Sequence, residues 1–357
     1  MKRLALCCDG TWNRADQYRA GVYSPTNVLK LALRIANRDP SGASQVIFYG
    51  QGVGTQRGID RLSGGAFGAG LEDNIYEAYR FLIANYEPGD EVFLFGFSRG
   101  AFTARSLAGL LRRCGLLRQD AMDEYVAARR LYRSIPSPEH PDAVQFRTRF
   151  AWCGDEAVRI RFVGVWDTVG SLGIPLHGLR GLTRQSYTFH DTELSGSVQE
   201  ACHALAIDER RPPFLPTTWL HVPKPGQSVE QVWFPGVHGD VGGGYPETGL
   251  SDLTLDWMLA RAEAAGLALD GPMLARHPLR PEPAGVQHVS RKGPYRLMPA
   301  VDRRIGFSKD RDGALHPDPT QTVHPSALAR WDADPGYRPP QLRAWLARTG
   351  DPRASEP

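Results

Sequence analysis

The fold of this chain is decided by one stretch of sequence, Glu91-Val92-Phe93-Leu94-Phe95-Gly96-Phe97-Ser98-Arg99-Gly100. Its apolar first half has the length of a buried strand, and the residues after Gly100 are rich in alanine and leucine, as in a helix. Glycines on both sides of Ser98 suit a strained strand-to-helix corner, where larger side chains would collide with their neighbours. The stretch therefore predicts a nucleophile elbow with Ser98 as the nucleophile, and an ordinary turn is the alternative.

The same corner is expected to stabilise negative charge. The first amides of a helix carry the positive end of its dipole, so the Arg99 amide is a candidate donor to an oxyanion. A second donor is expected from the loop after an early central strand. Gly10 and Thr11 follow the first predicted strand, and glycine permits close backbone approach, so the amide of Gly10 or Thr11 is the candidate there.

A serine nucleophile needs a histidine base, and the histidine needs an acid that fixes its tautomer. In α/β-hydrolases the acid and then the histidine follow the serine, on loops after separate strands. Asp167 directly follows an apolar strand and His238 lies in the loop after a later one, so we predict them as acid and base. Asp240 is a rival acid, although its closeness to His238 in the chain makes an in-line relay awkward.

Strand and helix patterns alternate through the first two thirds of the chain. This order predicts an α/β fold class, with an α/β-hydrolase-like, mostly parallel sheet flanked by helices and carrying helical and loop insertions. The predicted strands cover residues 4–8, 45–49, 91–95, 159–166 and 231–234, and the predicted helices cover 26–37, 71–85 and 251–266, the last with Ser251 as N-cap.

A length of 357 residues suits one elaborated α/β domain. We predict a single domain over residues 1–346, with insertions at about 118–157 and 171–225, and a C-terminal tail at 347–357.

Composition excludes several classes of function. The hydrophobic share of 41% is that of a soluble globular protein, no stretch is long enough for a transmembrane segment, and the net charge of +3 comes from scattered basic pairs, which disfavours nucleic-acid binding. The five cysteines form no Cys-x-x-Cys pair and the ten histidines no zinc-hydrolase motif, so no metal and no cofactor is expected. The apolar run at the N-terminus is too short for a signal peptide, which predicts a cytoplasmic protein.

Two glycine-rich stretches, residues 50–55 and 64–70, match no nucleotide-binding pattern. Structural turns are favoured for both, and a phosphate site at a helix N-terminus after Gly70 is the alternative. The charges at 208–211 are interpreted either as a local ion-pair network or as solvated charge.

A resemblance to a known family is carried by six motifs, which lie at residues 6–13, 52–55, 96–101, 165–170, 203–209 and 233–245. With them the chain resembles the DUF2235 family, the α/β-hydrolase domain of Tle1-type phospholipase effectors of type VI secretion, from residue 4 to about residue 343. The resemblance implies a Ser-Asp-His hydrolase of lipid ester bonds, with Ser98, Asp167 and His238 as the catalytic positions, and makes type VI secretion cargo an alternative to a resident cytoplasmic enzyme.

The predicted function is a serine esterase or lipase, of phospholipase type under the resemblance, that forms an acyl-enzyme on Ser98. The apolar residues Leu172, Ile174 and Leu176 are predicted to bind the acyl chain, and the 118–157 insertion to act as a lid, with plain core cover as the alternative. The expected partner is a lipid or small ester, with transient contact to a membrane surface and no defined oligomeric state. A non-catalytic binding protein and an acyltransferase or amidase are the competing hypotheses.

Overall fold

The computed structural model of the protein describes residues 1–52, 64–135, 137–154, 158–169, 194–220, 224–310 and 312–356. Its strands are β1 Arg3–Cys8, β2 Tyr18–Arg19, β3 Val22–Tyr23, β4 Gln45–Gly50, β5 Glu91–Phe97, β6 Ile160–Trp166, β7 Val198–Ala206, β8 Ser228–Phe234, β9 Phe307–Lys309, β10 Leu315–Pro317 and β11 Gln321–Val323. Seven of them form one sheet in the order β4-β1-β5-β6-β7-β8-β11, and every neighbouring pair in it is parallel. The predicted α/β fold class is therefore confirmed.

Helices cover both faces of this sheet. None of the described helices combines the length and apolar character that crossing a bilayer requires. The α-helices of the described residues are α1 Asn27–Ala32, α2 Gly64–Asn85, α3 Arg99–Cys114, α4 Tyr125–Ser134, α5 Pro141–Phe150, α6 His238–Gly242, α7 Gly249–Ala264, α8 Gly271–Arg276, α9 Pro325–Ala333 and α10 Pro340–Thr349.

The sheet is buried on both faces, which explains the continuous apolar sequence of its central strand. On one face, side chains of α2 and α3 pack against residues such as Leu94. On the other, side chains of α1 and α7 pack against Phe93 and Phe95. A third cluster packs Trp331 of α9 and Leu342 of α10 against β8 and the edge strand β11. The carboxyl ends of the strands stay available between these layers for functional side chains.

Glycines allow the chain to pass closely at the start of α3. A Cβ atom on Gly100 would lie 2.0 Å from the carbonyl oxygen of Cys8, at the end of β1. A Cβ on Gly96 would lie 2.4 Å from the carbonyl oxygen of Gly100. Both separations are far below van der Waals contact, so only glycine lets α3 begin directly over the carboxyl ends of β1 and β5.

Strand β7 was missed by the sequence analysis, which placed it inside the insertion at 171–225. Its sequence holds one β-branched residue, Val198, and gives no strong strand pattern. The strand forms because it lies between β6 and β8 and pairs with both. This is a case in which tertiary pairing outweighs local preference.

Three predicted helix starts or ends were also wrong. Helix α2 begins at Gly64, so residues 64–70 lie within it and no helix N-terminus follows Gly70. Helix α1 ends at Ala32, because the following chain bonds to another segment, the Ala36 amide donating to the Ala268 carbonyl at 3.0 Å. Helix α7 begins at Gly249 with Thr248 as N-cap, and Ser251 lies inside the helix.

The residues on both sides of the predicted domain boundary at residue 346 are packed on the protein. Helix α10 runs to Thr349, across the predicted boundary at residue 346. Glu356, in the predicted tail, accepts a hydrogen bond from the indole Nε1 of Trp331 at 2.7 Å. The tail therefore packs on the helices before it.

We predict that Gly100→Ala destabilises the protein by about 3 kcal/mol, because the added Cβ overlaps the β1 backbone. Gly109→Ala is the matched control in the same helix, since its Cβ would meet only the Tyr132 hydroxyl, at 3.4 Å. That variant is expected to gain about 0.5–1 kcal/mol from the better helix propensity of alanine. Urea denaturation of both variants checks the prediction, and equal stabilities would contradict it.

Candidate active site

Ser98 occupies the corner between β5 and α3. Its backbone has φ of 57° and ψ of −118°, which is uncommon for a residue other than glycine. The Ser98 amide donates to the Trp166 carbonyl at 3.0 Å, which joins the corner to the end of β6. Arg99 is the first residue of α3, so the helix begins at the residue after Ser98.

Asp167 follows β6, the neighbour of β5. Its backbone also has positive φ, 37°, and its amide donates to the Ala204 carbonyl of β7 at 2.8 Å. The Asp167 side chain is fully buried. One carboxylate oxygen, Oδ1, accepts from the Ala206 amide at 3.1 Å, and the other, Oδ2, lies 2.6 Å from Nδ1 of His238. The structure therefore brings the predicted acid and base into direct contact.

His238 begins α6, after β8. Its ring packs between two aromatic rings, that of Phe97 at 4.6 Å and that of Phe214 at 4.9 Å between centroids. Since Asp167 holds Nδ1, Nε2 is the nitrogen left to accept a proton. Phe97 immediately precedes Ser98, so this packing places the base beside the serine corner. Among the described residues, no hydrogen bond joins the Ser98 hydroxyl to the imidazole.

Arg303 is a further residue of the site, which the sequence analysis missed. Its guanidinium donates Nη1 to Oδ1 of Asp167 at 2.6 Å and Nη2 to Oδ2 at 3.0 Å. It also donates to the carbonyls of Ala206 and Phe214. Arg303 is 3% exposed and lies in a segment without periodic pattern, where sequence showed only a scattered basic pair. The one indication of this arginine in the sequence was Asp167 itself, because a carboxylate that is buried at the end of a strand needs a counter-ion.

These contacts set the protonation of the pair. Burial raises the pKa of Asp167, but the Arg303 charge and the hydrogen bond with His238 outweigh it and hold the pKa well below its usual range. Burial lowers the pKa of His238 below its ordinary 6.5, although the Asp167 hydrogen bond opposes that shift. At neutral pH the pair is therefore a carboxylate and a neutral imidazole.

Asp240, the rival acid, bonds elsewhere. Its Oδ1 lies 2.6 Å from Nδ1 of His288, and its Oδ2 accepts from the amides of Val237 and His288 at 3.0 and 3.1 Å. The contacts of Asp240 thus stabilise the start of α6 and its neighbouring segment, while Asp167 is the carboxylate on His238.

The loop after β1 is organised by Asp9, a buried carboxylate that accepts from the Thr26 hydroxyl at 2.6 Å and the Tyr49 hydroxyl at 2.7 Å. Burial raises the pKa of Asp9 to about 6, against these hydrogen bonds. The Gly10 amide donates to Oδ1 of Asp9 at 2.7 Å, so it is engaged within the loop. Thr11 keeps a buried hydroxyl that has no hydrogen-bond partner among the described residues.

The charges at 208–211 form a local network. Glu209 is buried and accepts two bonds from the guanidinium of Arg211, at 2.9 and 2.8 Å. It also accepts from the His238 amide at 3.3 Å and the Ser290 hydroxyl at 2.9 Å. A second negative charge therefore lies next to the imidazole, on its backbone side.

Leu172, Ile174 and Leu176 lie outside the described residues. Within the described ranges, no group of three or more histidine, cysteine, aspartate or glutamate side chains is placed to hold a metal ion.

The model of one protein family matches more than half of the chain. The family model "T6SS, Phospholipase effector Tle1-like, catalytic domain" matches residues 2–261. The uncharacterized protein YEL023C of Saccharomyces cerevisiae is 31% identical over 242 residues, which are 62% of this chain and 33% of the yeast protein.

Two similar solved structures each share 19% sequence identity with the chain. An uncharacterized protein from Pseudomonas aeruginosa has a TM-score of 0.45, covering 76% of this chain and 47% of that one. The Tle1 effector bound to the VgrG spike from the type 6 secretion system has a TM-score of 0.40, covering 69% and 52%. The chain spans about a third of the curated relative and about half of these structures.

We predict that Arg303→Leu costs about 3–5 kcal/mol of stability, because it leaves the Asp167 charge buried without its partner. Since the native pKa of Asp167 is depressed, its ion pair stabilises fully above the unfolded carboxyl pKa of about 4 and is lost as the pH falls below it. Between pH 7 and pH 3, the free energy of unfolding of the variant should therefore fall less than that of the wild type. Urea denaturation at pH 7 and pH 3 measures both effects.

Arg304→Leu is the matched control for this prediction, because Arg304 is exposed and adjacent. It should stay within about 0.5 kcal/mol of the wild type. The double variant Asp167→Asn/Arg303→Leu should recover part of the loss, since no buried charge remains. Equal losses for Arg303→Leu and Arg304→Leu would refute the assigned role.

Proposed function

The chain belongs to the family of catalytic domains of Tle1-like phospholipase effectors of type VI secretion systems, and on that premise we propose that it is a serine hydrolase of carboxylic ester bonds in lipids. The observation that carries the proposal is the 2.6 Å contact between Nδ1 of His238 and Asp167, at strand ends next to the Ser98 corner. A buried acid that orients a histidine beside a strained serine is the arrangement that nucleophilic catalysis requires.

In the proposed mechanism, the Ser98 oxygen attacks the ester carbonyl while Nε2 of His238 takes the hydroxyl proton. The proton then passes from His238 to the leaving alcohol, which departs and leaves an acyl group on Ser98. Water, deprotonated by His238, attacks this acyl-enzyme and releases the carboxylic acid and free Ser98. Asp167 stays ionised throughout and stabilises the imidazolium that forms in each half-reaction.

Backbone amides would stabilise the oxyanion in this mechanism. We propose the Arg99 amide at the start of α3 as one donor, because the helix dipole is directed at that point. Of the two candidate oxyanion donors after β1, the amides of Gly10 and Thr11, we prefer the Thr11 amide, since the Gly10 amide donates to Asp9. The proposed role of Asp9 is to fix the shape of this loop.

Arg303 has a positioning role in this proposal. By neutralising the buried carboxylate it keeps Asp167 ionised, and by bonding both oxygens it fixes the carboxylate plane that His238 contacts. Acyl-chain binding at Leu172, Ile174 and Leu176 is a part of the proposal that rests on their apolar sequence, and delivery by a secretion system is a part that rests on the family.

We expect a fluorophosphonate probe to add one adduct to the wild-type protein, seen by intact-mass spectrometry. Ser98→Ala and His238→Ala should each abolish the adduct, because the first removes the nucleophile and the second its base, and ester hydrolysis should fall by about 10⁶-fold. Ser106→Ala, which changes a buried serine within α3, is the matched control and should retain the adduct.

A folded wild-type protein that forms no adduct would instead favour a non-catalytic binding role. Product analysis separates the remaining alternative, since a hydrolase releases free carboxylic acid and an acyltransferase passes the acyl group to another acceptor.

The pH dependence of ester hydrolysis is the second test. We predict that kcat/KM is constant through pH 7 and falls on the acid side around a pKa below 6.5, because burial lowers the pKa of His238 and the imidazolium accepts no proton. Glu209→Gln should move this limb to still lower pH, since the Glu209 charge favours imidazolium. Glu247→Gln, an exposed carboxylate on His288, should leave it in place. An acid limb of kcat/KM with a pKa above 6.5 would contradict the assignment of His238 as the general base.

A further inference from the structure

A cavity of about 550 Å³ lies beside the site, between the segment at 212–218 and the hairpin of β9 and β10. Its volume is within the range of pockets that hold a small organic ligand. Most of its wall is apolar, and the apolar side chains come from Pro212, Leu215, Trp233, Val301, Phe307 and Leu315.

This cavity is distinct from the proposed reaction centre. Its described lining includes neither Ser98, Asp167 nor His238. Arg303 does line it, and the guanidinium of the same residue holds Asp167. The cavity is therefore next to the acid of the site and separated from it by Arg303.

The cavity carries positive charge that no described residue neutralises. Arg304 and Lys309 both line it and are exposed, and neither forms an ion pair with any described residue. Its two carboxylates are engaged, Asp302 with Arg210 at 2.8 Å and Asp310 with His316 at 2.8 Å.

Arg303 is a third cation in the lining of the cavity, and its side chain is buried. Within the described part of the chain its Nε has no hydrogen-bond partner, although its two Nη atoms are bonded. The Nη donors of Arg303 are therefore directed at Asp167 and at backbone carbonyls, and Arg304 and Lys309 are the cations left to pair with an anion in the cavity.

We infer that this cavity binds a single-chain anionic amphiphile, of which a fatty acid is the simplest. The alkyl chain covers the apolar wall, and the carboxylate pairs with Arg304 and Lys309. A small anion alone would leave the apolar wall uncovered, and an uncharged lipid would leave both cations unpaired. That the fatty acid comes from this protein's own reaction rests on the proposed function, but the binding does not.

Quenching of tryptophan fluorescence by a dodecanoate brominated along its chain tests the inference, because Trp233 lines the cavity. The Ser98→Ala protein should show saturable quenching. Arg304→Ala/Lys309→Ala should weaken binding about 10-fold, since each exposed pair contributes up to about 1 kcal/mol. Leu215→Glu, which places a carboxylate on a partly exposed part of the wall, should weaken it further.

Lys292→Ala/Arg296→Ala is the matched control, because it removes the same charge from residues that do not line the cavity. It should bind as the parent does. A brominated dodecyl ammonium of equal chain length should bind far less. Equal binding by all variants, or by both amphiphiles, would overturn the inference, since the ligand would then only partition onto apolar surface.

A second comparison separates this cavity from the reaction centre. Wild-type protein with Ser98 blocked by fluorophosphonate should bind the dodecanoate as the Ser98→Ala protein does, and loss of binding on blocking would place the ligand at Ser98 and overturn the inference. If no adduct forms, the proposed function fails while the Ser98→Ala measurement still decides the cavity.

Discussion

The fully buried carboxylate of Asp167 is the constraint on which the site depends. A charge without solvent must be neutralised and hydrogen-bonded, and four groups do so here: the Ala206 amide, Nδ1 of His238 and both Nη atoms of Arg303. These groups come from the end of β7, the start of α6 and the segment after residue 300. One anion thus fixes the relative positions of three parts of the chain, and the imidazole orientation follows from them.

Much of this arrangement could be predicted from local sequence, because the features concerned are written in short stretches. A buried parallel strand is apolar throughout, as β5 is, and a corner as tight as that at Ser98 requires glycine on both sides. The placement of Asp167 and His238 after strands followed from the same logic. Their contact was expected because parallel strands end at one edge of the sheet.

The remaining features depend on distant partners. Arg303 lies 136 residues from Asp167 in a segment of no regular pattern, so only the need for a counter-ion pointed to it. Strand β7 forms because two strands pair with it, and α1 ends early because another segment takes its backbone bonds. The engagement of the Gly10 amide by Asp9 is a side-chain choice that spacing does not reveal.

The position of Arg303 has a consequence for how the protein is made. The family model matches residues 2–261, so the partner of Asp167 lies outside the matched residues. During synthesis, Arg303 is the 136th residue that the ribosome adds after Asp167. Until then the acid has no permanent cation, and burying it is unfavourable. The nascent chain therefore carries its serine corner early and acquires an ordered acid and base only after residue 303 has been made.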